Sequence, residues 1–224
     1  MNSKVAIVFA PHPDDETLGC GGTIARRMSE GYKVFVVILT DGRHVFSKTL
    51  NVTSPTPEEI KQIRKEEVTE AVSVLGVPKS NLFFFDFEDY TLAEHEKEAE
   101  EAVTAFIQGH VPDEVYFPIK REGHPDHQAA NRIISHCLQK SNLENRAFQY
   151  SITHKLSRVG PKFEKVLGFL SNRTRVVDIS QYLEIKKQAV DKFRSETLIY
   201  LSSQKRPVVS TKGHLESKEV FYKR

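Results

Sequence analysis

The sequence predicts an α/β protein of the Rossmann-like, doubly wound kind: a mostly parallel sheet with a C-terminal elaboration. Three observations predict it. Val5–Phe9 and Val34–Leu39 are apolar at every position, as strands covered on both faces must be. Leu82–Phe85 and Val115–Phe117 repeat that signal more briefly. Between these runs lie stretches of helical periodicity, and strand–helix alternation in this rhythm means right-handed crossovers and a parallel sheet.

Taken in order, the helices are legible from their apolar stripes. Ile60, Ile63, Val68, Ala71, Val72 and Leu75 form the clearest one. Thr56-Pro57-Glu58-Glu59 reads as a capping box with proline at the first helical position, and Gly76 as the C-terminal stop. Ala99, Ala102, Val103, Phe106 and Ile107 mark a second helix, and Ala129, Ala130, Ile133, Ile134 and Cys137 a third. Beyond Arg146 the pattern loosens. Phe148–Thr153 and Arg175–Ile179 read as strands, Gln181–Arg194 as a helix and Val220–Tyr222 as a last edge strand. No repeat, low-complexity segment or flexible linker divides the chain, so residues 1–224 are expected to form one domain, its core about 1–153 and its elaboration about 154–224. Gly42–Ser54 is long for a connection, the length of a lid.

Composition narrows the function. With 32 basic and 30 acidic residues among 224, the net charge is +2, which excludes a strongly basic nucleic-acid binder and an acidic tail. No stretch reaches the roughly 18 apolar residues of a membrane span, so no membrane anchor is expected. Val5–Ala10 is too short for an export signal. Cys20 and Cys137 lie far apart without a CxxC spacing, which fits a reducing compartment. A cytoplasmic protein is expected, and Asn51-Val52-Thr53 and Asn172-Arg173-Thr174 are then chance matches to a glycosylation pattern. A homo-oligomer stays open.

Two clusters carry chemistry: Pro11-His12-Pro13-Asp14-Asp15-Glu16-Thr17 after the first strand, and Gly123-His124-Pro125-Asp126-His127 after the fourth. In a doubly wound sheet these strands are neighbours where the winding reverses, and ligands bind in the crevice at their carboxyl ends. Imidazoles and carboxylates meeting there suit a borderline-soft divalent ion, and three such ligands with a position left for water describe a catalytic zinc site. Of adjacent Asp14 and Asp15, one can bind metal while the other faces the water that attacks a carbonyl. The two histidines of the second cluster can divide metal binding from oxyanion stabilisation. Gly19, Gly21 and Gly22 then open a helix where absent side chains permit close approach.

His12-Pro13-Asp14-Asp15-Glu16 with the downstream His124-Pro125-Asp126-His127 resembles the LmbE/PIG-L superfamily of zinc-dependent N-acetylglucosaminyl deacetylases. Pro11–Gly22, Thr40-Asp41-Gly42, Arg64–Val77 and the stretch to Ala130 are similar to the family in order and spacing. Val177-Asp178-Ile179 and Lys186–Glu196 match loosely. The resemblance implies zinc, with Fe²⁺ as the competing ion, held by His12, Asp15 and His127. It implies Asp14 as general base, and His124, tuned by Asp126, as the group that stabilises the oxyanion and helps protonate the departing amine. Arg64 falls at a substrate-binding position. Asp41, at the end of the second strand, is read from its place as site support or loop cap. Some members carry a tyrosine where this chain has Glu122, so oxyanion stabilisation would rest on the metal and His124. The implied substrate is a small-molecule or carbohydrate N-acetylated amino sugar.

Plainer readings stand beside these. His44, His95, His110, His136, His154 and His214 read as ordinary hydrogen-bonded residues, Glu16 as a solvated first-turn charge, and Cys20 as packing. Asp14 and Asp15 read as helix caps explain one carboxylate, not two beside a histidine. Arg64 can instead pair with Glu67 or Glu70 along its helix. From another class, a Mg²⁺-binding phospho-acceptor module would use the acidic pair with Asp86, leaving His12 and His127 unexplained. A non-catalytic metal- or carbohydrate-binding relative is the third reading.

Overall fold

The computed structural model describes residues 3–45, 54–152, 174–195 and 215–223. Its strands are β1 (Val5–Ala10), β2 (Lys33–Thr40), β3 (Leu82–Phe87), β4 (Glu114–Pro118), β5 (Ala147–Tyr150), β6 (Thr174–Asp178) and β7 (Lys218–Tyr222). They form one seven-stranded sheet in the order β3-β2-β1-β4-β5-β7-β6. β1 to β5 pair in parallel, while β7 runs antiparallel to both its neighbours. The chain therefore winds outward from β1 through β2 to β3, then returns to start β4 on the other side of β1.

The all-apolar strands bury both faces, as a parallel sheet requires. Ala6, Val8 and Ala10 of β1 and Val34, Val36 and Ile38 of β2 face one core, with helix α1 (Asp15–Ser29), α2 (Pro57–Val74) and α5 (Leu183–Val190). Ile7, Phe9, Phe35, Val37 and Leu39 face the other, with α3 (Glu96–His110) and α4 (Pro125–Lys140). The result is three layers, helix, sheet and helix.

Local signals behave as their chemistry demands. Thr56 accepts from the Glu59 N–H while the Glu59 side chain accepts from the Thr56 N–H, a capping box of the kind whose loss costs about 1 kcal/mol. At the far end of α2, Gly76 (φ 88°) donates to Ser73 O and Val77 to Val72 O, the paired bonds that close a helix on a left-handed residue. The glycines of α1 serve packing: a Cβ on Gly22 would lie 2.3 Å from Ile179, and one on Gly19 2.5 Å from Tyr150. The close approach is by the protein's own core.

Two expectations are corrected. Val220–Tyr222 belongs to β7, which is interior rather than an edge strand; β6 is the edge. The reason is Glu219, whose carboxylate accepts from the N–H groups of Gly22 and Thr23 in α1 and pairs with Lys186 Nζ at 2.6 Å. A buried carboxylate bound to a buried helix belongs inside the sheet. The helix expected over Gln181–Arg194 is a 3-10 turn at Ser180–Tyr182 followed by the shorter α5. Residues 46–53 of the long loop after β2, and His154 and His214, lie outside the described residues.

Candidate metal centre

His12 follows β1 directly, between two prolines that stiffen its turn. Its N–H donates to Asp15 Oδ2 at 3.0 Å. Asp14 stands at the N-cap position of α1 with φ 137° and ψ −31°, and its carboxylate caps nothing. A non-glycine residue in such a conformation costs of order 1–3 kcal/mol and persists where its surroundings over-determine it. Here two groups do so: Glu16 Oε2 accepts the Asp14 N–H at 3.0 Å, and Arg64 Nη2 donates to Pro13 O at 2.5 Å. The same Arg64 nitrogen lies 3.4 Å from Asp14 Oδ1.

From the far side of the switch between β1 and β4, Pro125 starts α4 and brings His127 into its first turn. His12 Nδ1 lies 3.2 Å from His127 Nε2 and 3.2 Å from Asp15 Oδ2, and His127 Nε2 lies 3.0 Å from Asp15 Oδ2. A tetrahedral zinc with ligands at about 2.0–2.1 Å has ligand–ligand edges of about 3.3 Å, so this triangle has the size of one face of such a site. Asp15 and His127 are buried and His12 nearly so, and their donor set of two imidazoles and a carboxylate suits Zn²⁺ or Fe²⁺. The residues fit the ion.

Behind His12, its other ring nitrogen meets two buried carboxylates: Nε2 is 3.3 Å from Asp126 Oδ2 and 3.2 Å from Asp89 Oδ1. This is the carboxylate–histidine pairing that orients metal ligands. Burial alone would push the His12 imidazole down, but Asp126, Asp15 and Asp89 outweigh it and hold the ring well above its ordinary value. For Asp15, burial is likewise outweighed, here by His127 and His12, and its carboxyl titrates far below the usual range. The pocket is built for a positive charge at this point.

His124 is the N-cap of α4, and its Nδ1 accepts the Asp126 N–H at 3.2 Å. The neutral ring then carries its proton on Nε2, a tautomer inferred from that bond. Burial first, then the neighbouring His12, hold His124 down to about 4, so the ring is neutral at pH 7. Its edge meets the His12 ring at 4.5 Å, and Tyr90 packs against it with centroids 4.4 Å apart.

Other expected residues are placed differently. Asp126 Oδ2 lies 3.9 Å from His124 Nδ1, farther than from His12, and accepts the Tyr90 N–H at 2.7 Å, while Oδ1 accepts the Leu92 N–H at 3.2 Å. Arg64 is 2% exposed, turned inward beneath the Asp14 turn; Glu67 accepts from Ser195, and Glu70 pairs with Lys192. Asp41 is buried and accepts from Arg43, the act of a loop cap. Glu16 is fully buried, not solvated, and burial pushes its carboxyl up to about 7. Glu122 is buried too, with Oε1 accepting the Ile152 N–H at 2.8 Å. Burial pushes the Cys20 thiol up, contrary to a nucleophile's need. Asp86 is paired with Lys61 and Lys65 and belongs to neither carboxylate–imidazole cluster. Asp89 and Tyr90 escaped the sequence reading; the sole signal was an acid just past the carboxyl end of a parallel strand.

Residues 7–138, more than half of the chain, match the family described as PIG-L, GlcNAc-PI de-N-acetylase. The chain belongs to the PIG-L family. Among this PIG-L member's relatives, a diacetylchitobiose deacetylase of Thermococcus kodakarensis is 28% identical over 198 residues, 86% of this chain and 70% of the relative. A probable N-acetyl-alpha-D-glucosaminyl L-malate deacetylase 2 of Bacillus cereus is 30% identical over 199 residues, 88% and 85% of the two chains. Among solved structures, the N,N'-diacetylchitobiose deacetylase of Pyrococcus horikoshii shares the fold, with a TM-score of 0.69 at 23% identity over 98% of this chain and 83% of that one. The resemblance carried by the two histidine motifs is thus family membership, and the phospho-acceptor reading loses its ground.

Proposed function

We propose that this PIG-L member is a metal-dependent amide hydrolase that removes the acetyl group from an N-acetylated amino sugar. The observation that carries the reading is the His12–Asp15–His127 triangle flanked by Asp14 and His124, in a chain whose relatives are deacetylases. His12, Asp15 and His127 would hold the ion, Zn²⁺ with Fe²⁺ as the competitor. When bound, that ion supplies a Lewis acid that polarises the amide carbonyl and acidifies water.

The chain's own groups do the rest. Asp14, held by Arg64 and Glu16, takes a proton from the attacking water as its oxygen bonds to the carbonyl carbon. His124 Nε2–H donates to the carbonyl oxygen as that oxygen becomes anionic. Asp14 returns the proton to the nitrogen, the C–N bond breaks, and acetate and a free amine leave. Asp126 and Asp89 keep His12 oriented throughout. The cytoplasm is the compartment of this reading, supported by two unbridged cysteines, Cys20 and Cys137.

Acetate release from a panel of N-acetylglucosamine conjugates tests the proposal with the zinc-loaded protein. Acetate from at least one conjugate is the expected result. Silence across the panel, with one ion bound per chain, would leave the non-catalytic relative as the better reading.

A further inference from the structure

Tyr90 holds a conformation that its side chain disfavours. It is third in a four-residue turn closed by the Thr91 N–H on Glu88 O at 3.1 Å, and its φ is 71°. A third turn position with positive φ is glycine's by default, and for a bulky side chain it is strained. A strained residue in a site is an observation from which function is inferred. Glycine in this turn would leave every backbone bond in place, including Tyr90 N–H to Asp126 Oδ2 at 2.7 Å. What glycine would lack is the ring.

That ring lies on His124, with centroids 4.4 Å apart and planes inclined at 57°. Among the described residues, His124 is otherwise met by the His12 ring at 84°, by the His127 ring with centroids 5.6 Å apart, and by the bond from Asp126 N–H to Nδ1. Rotation about the Cβ–Cγ bond would carry Nδ1 off its donor, and one hydrogen bond of 3.2 Å is a modest restraint on that swing. A flat aromatic neighbour blocks that swing. We infer that Tyr90 is a positioning residue: its ring holds the His124 imidazole at the angle that aims Nε2–H into the crevice. The inference rests on the reading of His124 given above. It accounts for a strained tyrosine standing where glycine would fold more easily, since the ring orients a group whose geometry sets the rate. The ring, not the phenol hydroxyl, carries the role.

The test compares wild type, Tyr90→Gly and Tyr90→Phe in the full, zinc-loaded chain. Two readouts are taken: acetate kinetics, and carbethoxylation of His124 by diethyl pyrocarbonate followed by mass spectrometry. Tyr90→Gly is expected to melt above wild type because the backbone strain is gone. Its kcat is expected to fall by about tenfold or more with KM little changed, as misplacing a reacting group does. Its His124 should label several-fold faster, with one face of the ring uncovered. Tyr90→Phe should behave as wild type in both readouts. Equal labelling of wild type and Tyr90→Gly would overturn the inference whatever the activities. So would a Tyr90→Phe as impaired as Tyr90→Gly, because the hydroxyl would then be the working part. A wild type that releases no acetate would remove the functional reading alone, and the labelling comparison would still decide the contact.

Discussion

His12 Nδ1 and His127 Nε2 stand 3.2 Å apart although 115 positions separate them in the chain. Neither local sequence nor a single element holds them together. The neighbouring of β1 and β4 does, with His12 at the end of one strand and His127 in the first turn of the helix after the other. Asp15 completes the triangle from the first turn of α1.

Asp14→Asn should separate the base from the metal site. The substitution keeps the size of the side chain and removes its capacity to take a proton. Turnover is expected to fall at least about a hundredfold, with zinc content by elemental analysis unchanged. Full activity in the variant would remove Asp14 as the base.

Arg64 divides two readings cleanly. Replacing a residue that binds substrate raises KM; replacing one that holds the Asp14 turn lowers kcat. Its burial and its bond to Pro13 O favour the second. Arg64→Met is expected to lower kcat with little change in KM, and to destabilise by about 1.5–3 kcal/mol for a lost bond from a charged donor. A raised KM with kcat intact would return Arg64 to the substrate.

Stability against acid reads out a third cluster, remote from the metal centre. Burial would raise the Glu114 carboxyl, but Arg27, Tyr116 and Arg175 outweigh it and hold it below its ordinary 4.5. A depressed acid stabilises the fold in full above the unfolded value and loses that contribution as pH falls toward the folded one. The unfolding midpoint of Glu114→Gln should therefore lie below wild type at about pH 7, and the gap should narrow below about pH 4.5. A gap that stays constant across that window would show that the contribution of Glu114 does not come from its ionised carboxylate.

Much of this was legible because it is local or periodic. The all-apolar runs announced strands covered on both faces, and Thr56–Glu59 announced the start of α2. The pairing of β1 with β4 followed from the winding rule, and with it the meeting of the two histidine motifs. What escaped is non-local or contrary to residue habit. Arg64 looks like a surface arginine with Glu67 and Glu70 in reach along its helix, and only the fold turns it under Asp14. Asp89 is one acid among several after β3, and its place behind His12 depends on a turn whose third residue, Tyr90, a sequence reading would expect to be glycine. β7 enters between β5 and β6 because Glu219 binds α1, an interaction spanning most of the chain.

The central claim is that His12, Asp15 and His127 grip one divalent ion. Calorimetric titration of the metal-stripped chain with zinc tests it most directly, comparing wild type with His12→Ala and His127→Ala. The account predicts one tightly bound ion per chain in wild type and loss of that binding in both variants, with far-ultraviolet circular dichroism unchanged. Wild-type affinity and stoichiometry in either folded variant would contradict it.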